Sequence, residues 1–242
     1  MIDIHTHILP FVDPDGPQSL DGSLVMARQA WNDGVKVAFG TPHIVSDRPR
    51  QNGKKWKEAR DRLDEALRNE GISLDVRLGG EVYFTEKLES FLEENNVFLD
   101  EAHRFFLVEF QLTSFPSGAE SILSRAVRKG MVPILAHIER NLAMSKNRVP
   151  VCDLVQMGCL TQITGGSLLG YFGDTAKEKA KELLGNGLVH FLASDAHDPV
   201  DRPPVLAAAL KEASKIIGDT EAGRLVHENP KSLVDGASHL RR

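Results

Sequence analysis

Cysteine is nearly absent, with Cys152 and Cys159 the only two in 242 residues. That excludes a disulfide framework and a thiolate zinc knuckle, and it suits a reducing compartment. No uninterrupted apolar run approaches the ~18–20 residues that cross a bilayer. The opening Met1-Ile2-Asp3-Ile4-His5 has neither a basic n-region nor an apolar h-region, so the expectation is a cytoplasmic protein without membrane insertion. There is no basic surplus either. Lys plus Arg is 29 against 34 Asp plus Glu, a formal charge of −5 that argues against a non-specific nucleic-acid binder. No linker, charge block, low-complexity tract or repeat divides the chain, and one domain spanning 1–242 is expected.

What is present is apolar material, 41% of residues, arranged in alternating short and long patterns. Strands are expected at residues 2–5, 35–40, 74–79, 104–110, 132–137, 160–164 and 189–194. Several of these are near-continuous apolar runs, as parallel strands covered on both faces require. Helical patterns fill the gaps. Leu20, Leu24, Ala27 and Trp31 share one face before Gly34, and Trp56, Ala59, Leu63 and Leu67 share another. Ser117 and Glu120 have capping-box spacing, Asp174 is placed to cap a helix, and Asn229-Pro230 reads as N-cap and first helical residue. Seven βα units in a row predict a parallel α/β barrel, with a doubly wound open sheet as the alternative.

Metal-capable side chains fall at the ends of these strands. His5 and His7 end the first, His43 follows the second, Glu81 the third and Glu109 the fourth. His137 ends the fifth, and Asp195 and His197 end the seventh. In a parallel barrel those ends converge on one face, where active sites are built. Any one of them alone is more often a hydrogen-bonded structural residue or a helix cap. Their concentration at one end is what points to a site. Imidazole mixed with carboxylate, without thiolate, suits Mn²⁺, Zn²⁺ or Fe²⁺ better than a structural zinc. So many ligands imply two or three clustered ions, the arrangement that generates hydroxide and clamps the oxygens of a hydrolytic displacement. Arg140 and Arg202 lie in the loops after the fifth and seventh strands. Guanidinium forks match phosphoryl oxygens and tilt the reading towards phosphate, although pairing with a surface carboxylate is an arginine's commoner fate.

These residues also carry a family resemblance. Met1-Ile2-Asp3-Ile4-His5-Thr6-His7-Ile8-Leu9-Pro10 resembles the opening motif of the PHP (polymerase and histidinol phosphatase) superfamily. With Gly79-Gly80-Glu81, Val108-Glu109-Phe110, Ala136-His137-Ile138-Glu139-Arg140, the 193–197 stretch and Arg202-Pro203-Pro204, the chain is similar to the metal-dependent protein-tyrosine phosphatases of bacterial capsule and exopolysaccharide operons. The resemblance implies a distorted (β/α)7 TIM-like barrel of the PHP type and a trinuclear site, often containing manganese, with iron or zinc as alternatives. By the same resemblance His5, His7, Glu81 and Asp195 hold one metal, and Glu81, Glu109 and His137 the second. His43, His197 and a first-loop aspartate hold the third, and Arg140 and Arg202 bind phosphate. The implied reaction is attack of a metal-bound hydroxide on phosphotyrosine in the tail of a polysaccharide-assembly tyrosine kinase. The family usually reads Asp-Asp-Gly in the first loop, whereas this chain has Asp13-Pro14-Asp15-Gly16. Asp15 keeps its place before the glycine and is the favoured ligand, while Asp13 keeps its distance from His7.

Two alternatives differ in chemistry. A histidinol-phosphate phosphatase shares the metal set but resembles a pattern with histidine at the position of Glu109. A non-catalytic metal-binding barrel would have lost ligands that are present here. A cysteine mechanism is excluded, because the residues six beyond Cys152 and Cys159 are Gly158 and Gly165, so neither starts a Cys-x5-Arg loop. The stretch 47–57, with Arg48, Arg50, Lys54, Lys55 and Lys57, is basic enough to attract an acidic phosphopeptide, though a solvated helix approach is the better explanation.

Overall fold

The computed structural model describes residues 1–45, 52–95, 97–145 and 150–236. In chain order its elements are β1 (Ile2–Thr6), α1 (Leu20–Asn32), β2 (Val37–Gly40), β3 (His43–Ile44), α2 (Asn52–Asn69), β4 (Asp75–Leu78), β5 (Glu81–Tyr83) and α3 (Leu88–Glu94). There follow β6 (Phe105–Glu109), α4 (Ala119–Arg128), β7 (Val132–Leu135), α5 (Leu142–Ser145), α6 (Val151–Met157), β8 (Leu160–Thr164) and α7 (Gly165–Leu169). The chain closes with α8 (Gly173–Gly185), β9 (Phe191–Ala193), α9 (Ala207–Ile217), α10 (Asp219–Val226) and α11 (Glu228–Asp235). Every named strand pair is parallel. No helix among the described residues is long and apolar enough to cross a membrane.

Each of the seven expected strand segments contains a strand, but the second and third are broken. β2 stops at Gly40 and resumes as β3 after Thr41-Pro42, and β4 stops at Leu78 and resumes as β5 after Gly79-Gly80. Pro42 lacks the N–H that a continuous ladder needs. At Gly79 an added Cβ would lie 2.3 Å from Leu99 Cδ2, and at Gly80 it would lie 2.4 Å from Ile44 Cδ1, so a larger residue at either would require those side chains to shift. The breaks divide the strands into two sets, β1-β2-β4 and β3-β5-β6-β7-β8-β9. They also set His43 directly opposite Glu81, each the first residue of a resumed strand.

The parallel sheet curls. Asp195 N–H donates to His5 O at 2.9 Å and His7 N–H to Ala196 O at 2.8 Å, which brings the end of the last strand beside the first. In β6 the side chains alternate between two apolar clusters, as a two-residue period requires. Phe106 and Val108 join the larger cluster between sheet and helices. Phe105 and Leu107 join a smaller one with Ile4, Phe39, Ile134 and Phe191, inside the curl. Leu233 of α11 belongs to this inner cluster.

Helix starts correct three local expectations. Ser19 caps α1 by accepting from Gly22 N–H at 2.9 Å. α4, however, is entered from Gly118 in a left-handed conformation rather than capped by Ser117. Asp174 lies inside the first turn of α8, and Asn229 lies inside α11 with its amide donating to His190 O at 2.8 Å. In the last case a tertiary acceptor takes the polar group that local spacing assigned to a cap.

Candidate metal centre

The curl brings the metal-capable side chains of six strand ends and the first loop into one cluster. His5 Nε2 lies 3.3 Å from His7 Nε2, 3.2 Å from Glu81 Oε2 and 3.5 Å from Asp195 Oδ1. His137 Nε2 is 2.9 Å from Glu81 Oε1 and 3.7 Å from Glu109 Oε2. His43 Nδ1 is 2.9 Å from Glu81 Oε2 and 3.0 Å from Glu109 Oε1. Asp15 Oδ2 stands 3.7 Å from His43 Nε2 and 3.5 Å from His197 Nε2. Three overlapping trios have ligand atoms close enough to hold a cation: His5, His7 and Glu81; His43, Glu81 and Glu109; and His7, His43 and His197.

The partners of the outer ring nitrogens show why this donor set fits cations. Gln162 Oε1 accepts from His137 N–H at 3.0 Å, which fixes it as an acceptor, and it lies 3.1 Å from His5 Nδ1. Asp13 Oδ2 lies 3.0 Å from His7 Nδ1, and Asp195 O lies 2.9 Å from His197 Nδ1. When these three rings are neutral, Nδ1 therefore donates outwards and Nε2 is left facing inwards, as metal-ligating histidines require. Those nitrogens face one another and the carboxylates of Glu81, Asp195 and Asp15, an arrangement that calls for positive charge among them, supplied by protons or by a metal ion. His197 Nε2 is buried without a hydrogen-bond partner.

Titration shifts follow from the same crowding. Burial alone would lower the His5 imidazole, but the charges of Glu81 and Asp195 outweigh it and raise His5 to about 9. Burial is likewise overcome at His43, where hydrogen bonds to Glu109 and Glu81 raise it to about 11. Glu81 and Asp195 would be raised by burial, yet the His5 charge holds both well below the usual carboxylate range. His197 is lowered by burial and by the neighbouring His7. Two residues of the cluster, His137 (φ +33°) and Asp195 (φ +52°), adopt left-handed backbone that non-glycine residues seldom hold. Strain of this kind concentrates at functional sites.

Arg140 Nη1 and Arg202 Nη2 both donate to Asp195 Oδ2, at 2.6 and 2.8 Å. The Arg140 guanidinium lies over the Phe172 ring at 4.1 Å, and that of Arg202 lies 5.8 Å from the same ring. Arg202 Nε is buried with no acceptor among the described residues. On the other side of the cluster a cleft of about 500 Å³ is lined by Val12, Pro14, Val45, Lys55 and Trp56 together with Asp15, His43 and Glu109. Of the basic stretch, Arg48 and Arg50 lie outside the described residues, while Lys54, Lys55 and Lys57 are exposed.

Sequence reasoning missed Gln162 and Phe172. Gln162 had a legible signal, a polar residue inside an otherwise buried strand. Phe172 had none, since its role depends on where α7 ends. Both cysteines stand apart from the cluster: Cys152 is exposed, and burial pushes the Cys159 thiol up to about 12. Iodoacetamide at pH 8 is expected to add one carbamidomethyl group, on Cys152, in the native protein and two after unfolding, with native turnover unchanged. Mass spectrometry of digests reads both counts. Loss of activity in step with alkylation would return the chemistry to a thiol.

Fold and cluster define a class: a parallel α/β protein carrying, at the loop end of its sheet, a histidine–carboxylate cluster that could hold metal ions. The chain belongs to the CpsB/CapC family of capsular polysaccharide synthesis, whose model matches residues 1–235. It is 34% identical over 242 residues to the tyrosine-protein phosphatase YwqE of Bacillus subtilis, covering 100% of this chain and 94% of the relative. It is 31% identical over 249 residues to tyrosine-protein phosphatase CpsB of Streptococcus agalactiae, covering 97% and 98%. Among solved structures it is similar to one described with YwqE of B. subtilis and CpsB of Streptococcus pneumoniae as unique metal-dependent tyrosine phosphatases. That match has a TM-score of 0.91 and 33% identity, and covers 100% of this chain and 97% of the other. A β-aspartyl dipeptidase from Fervidobacterium islandicum shares the fold, with a TM-score of 0.55 at 12% identity over 96% of this chain and 72% of that one.

Proposed function

We propose that this chain is a metal-dependent tyrosine-protein phosphatase that hydrolyses phosphotyrosine on a bacterial polysaccharide-assembly tyrosine kinase. The observation that carries the reading is the inward convergence of the Nε2 atoms of His5, His7 and His197 on the carboxylates of Glu81 and Asp15, beside two guanidiniums, in a member of this family. We take the whole chain, 1–242, as one PHP domain with a distorted (β/α)7 barrel. The bonds from Asp195 and Ala196 to β1 support closure, and the inner cluster supports a filled interior.

Three divalent ions fit the donors, with Mn²⁺ the best match to mixed imidazole and carboxylate, and iron or zinc as alternatives. His5, His7, Glu81 and Asp195 would hold one, Glu81, Glu109 and His137 a second, and Asp15, His43 and His197 a third. Asp15 is preferred to Asp13 because Asp15 faces His43 and His197, whereas Asp13 is occupied with His7 Nδ1 and His43 N–H. The proline inserted between them separates an orienting aspartate from a ligating one.

Bound divalent ions would supply an activated water and neutralise charge on the phosphoryl group. Arg140 and Arg202 would bind the remaining phosphoryl oxygens. Each guanidinium carries five N–H donors, and the Arg202 Nε is already buried without an acceptor. Asp195 Oδ2 holds both forks in place before substrate arrives, so little reorganisation is needed as charge develops. A phenol of pKa ~10 leaves more readily than an alkyl alcohol, so the site can dispense with a strong general acid.

Chelation is the direct test. Purified protein treated with EDTA is expected to lose turnover of a tyrosine-phosphorylated peptide, and added Mn²⁺ to restore it. Preference for histidinol phosphate over the peptide would keep the centre and replace the substrate. Unchanged peptide turnover in metal-free protein would overturn the proposal.

A further inference from the structure

Most of the exposed large apolar side chains fall on segments that follow the strands, at the end of the sheet that carries the candidate ligands. Eight large apolar residues stand out as exposed among those described, and six of them are Phe11, Val45, Leu112, Leu142, Tyr171 and Val200. These six come from six different segments that follow β1, β3, β6, β7, β8 and β9, the end of the sheet where the candidate ligands lie. The remaining two, Val25 and Ile216, lie on α1 and α9. Scattered single apolar residues are ordinary on a surface, but a concentration around one mouth marks an interaction site. Contacts tie the rim to the centre. Leu142 N–H donates to Leu112 O at 2.7 Å, Val45 lines the cleft beside His43 and Glu109, and Tyr171 precedes the Phe172 that faces Arg140.

We infer that this rim is a docking surface for an extended polypeptide whose aromatic and aliphatic side chains flank the phosphorylated tyrosine. The inference rests on the phosphatase reading and sharpens its substrate. A partner covering this rim is placed to carry the phosphoryl group, because the rim side chains lie on the segments that follow the same strands as the candidate ligands. Apolar contacts split among six loops suit a chain that presents one side chain to each. A small polar phosphate ester would make no use of them. A second copy of this protein seated on the rim would cover the centre it surrounds.

Two phosphotyrosine peptides of equal length and charge, one with Leu and Phe flanks and one with Gly and Ser flanks, test the inference. The apolar-flanked peptide is expected to show a KM about tenfold lower at similar kcat, the equivalent of about 1.4 kcal/mol. Leu112→Ser, Val200→Ser and Tyr171→Ser should each raise that KM several-fold, leaving the Gly/Ser peptide and p-nitrophenyl phosphate unaffected. These positions are exposed, and unchanged thermal melting would confirm that the variants fold. A fluorescence-anisotropy arm uses the same peptides with a phosphonate in place of the ester, so binding is read without turnover. Equal affinities in that arm overturn the docking inference. Absence of hydrolysis of every phosphate ester overturns the phosphatase reading instead, while the anisotropy arm still decides the docking. A concentration-dependent dimer seen by light scattering and dissolved by Leu112→Ser would assign the rim to a second copy and overturn the inference.

Discussion

Glu81→Gln is expected to lower kcat/KM by about a thousandfold or more, the scale on which a bridging metal ligand contributes to Lewis-acid chemistry. Among the described residues no other carboxylate lies so close to so many imidazoles. Its oxygens lie 3.2 Å from His5, 3.3 Å from His7, and 2.9 Å from both His43 and His137, in a fully buried position. Glutamine keeps the shape and removes the charge. It also turns an amide N–H₂ towards nitrogens or replaces a strong anionic ligand with a weak neutral one. Bound metal per chain, measured by inductively coupled plasma mass spectrometry, should fall with activity. Wild-type protein should melt higher with Mn²⁺ than after chelation. Ligand present at a hundred times its Kd stabilises by about 2.7 kcal/mol, and this gap should shrink in the variant. Full metal content with full turnover in Glu81→Gln would sink the assignment of Glu81 as the shared ligand.

Arg140→Ala and Arg202→Ala should each cost about a hundredfold in kcat/KM, since a single preorganised donor to a developing oxyanion is worth about 10²–10³. Metal content should stay at the wild-type level, which separates these variants from Glu81→Gln. Inhibition by inorganic phosphate should weaken in parallel. The double variant should lose less than the product of the single losses, because both guanidiniums bind Asp195 Oδ2 and residues in one network do not act additively. Lysine at position 140 should restore little. It offers a point charge in place of a fork, and its ammonium cannot stack on the Phe172 ring that the guanidinium faces at 4.1 Å. If the alanine variants lost metal and kept their phosphate affinity, the arginines would be supports for Asp195 alone.

Much of the site was legible because strand ends are. A short apolar run followed by histidine or carboxylate is visible in one dimension, and parallel topology then sends all such ends to one side. His5, His7, Glu109, His137 and Asp195 were readable in this way. His43 and Glu81 were placed by the same logic, but the two breaks that set them opposite each other were not. Those breaks depend on Leu99 and Ile44 packing against Gly79 and Gly80 across the fold.

By itself the sequence determined the alternation of strand and helix, the lack of a Cys-x5-Arg motif and the residue types available at the loop end. It also carried the motifs of the family to which the chain belongs. The tertiary structure alone decided which of two neighbouring aspartates orients a histidine and which faces the cluster. It also decided that Gln162 holds His5, that Asp195 gathers both arginines beside Phe172, and that most of the exposed large apolar side chains lie at the sheet end that carries the candidate ligands. Local periodicity records which face of an element is buried. Pairings between residues 30 to 160 positions apart are fixed only when the sheet curls and non-local contacts choose among the local possibilities.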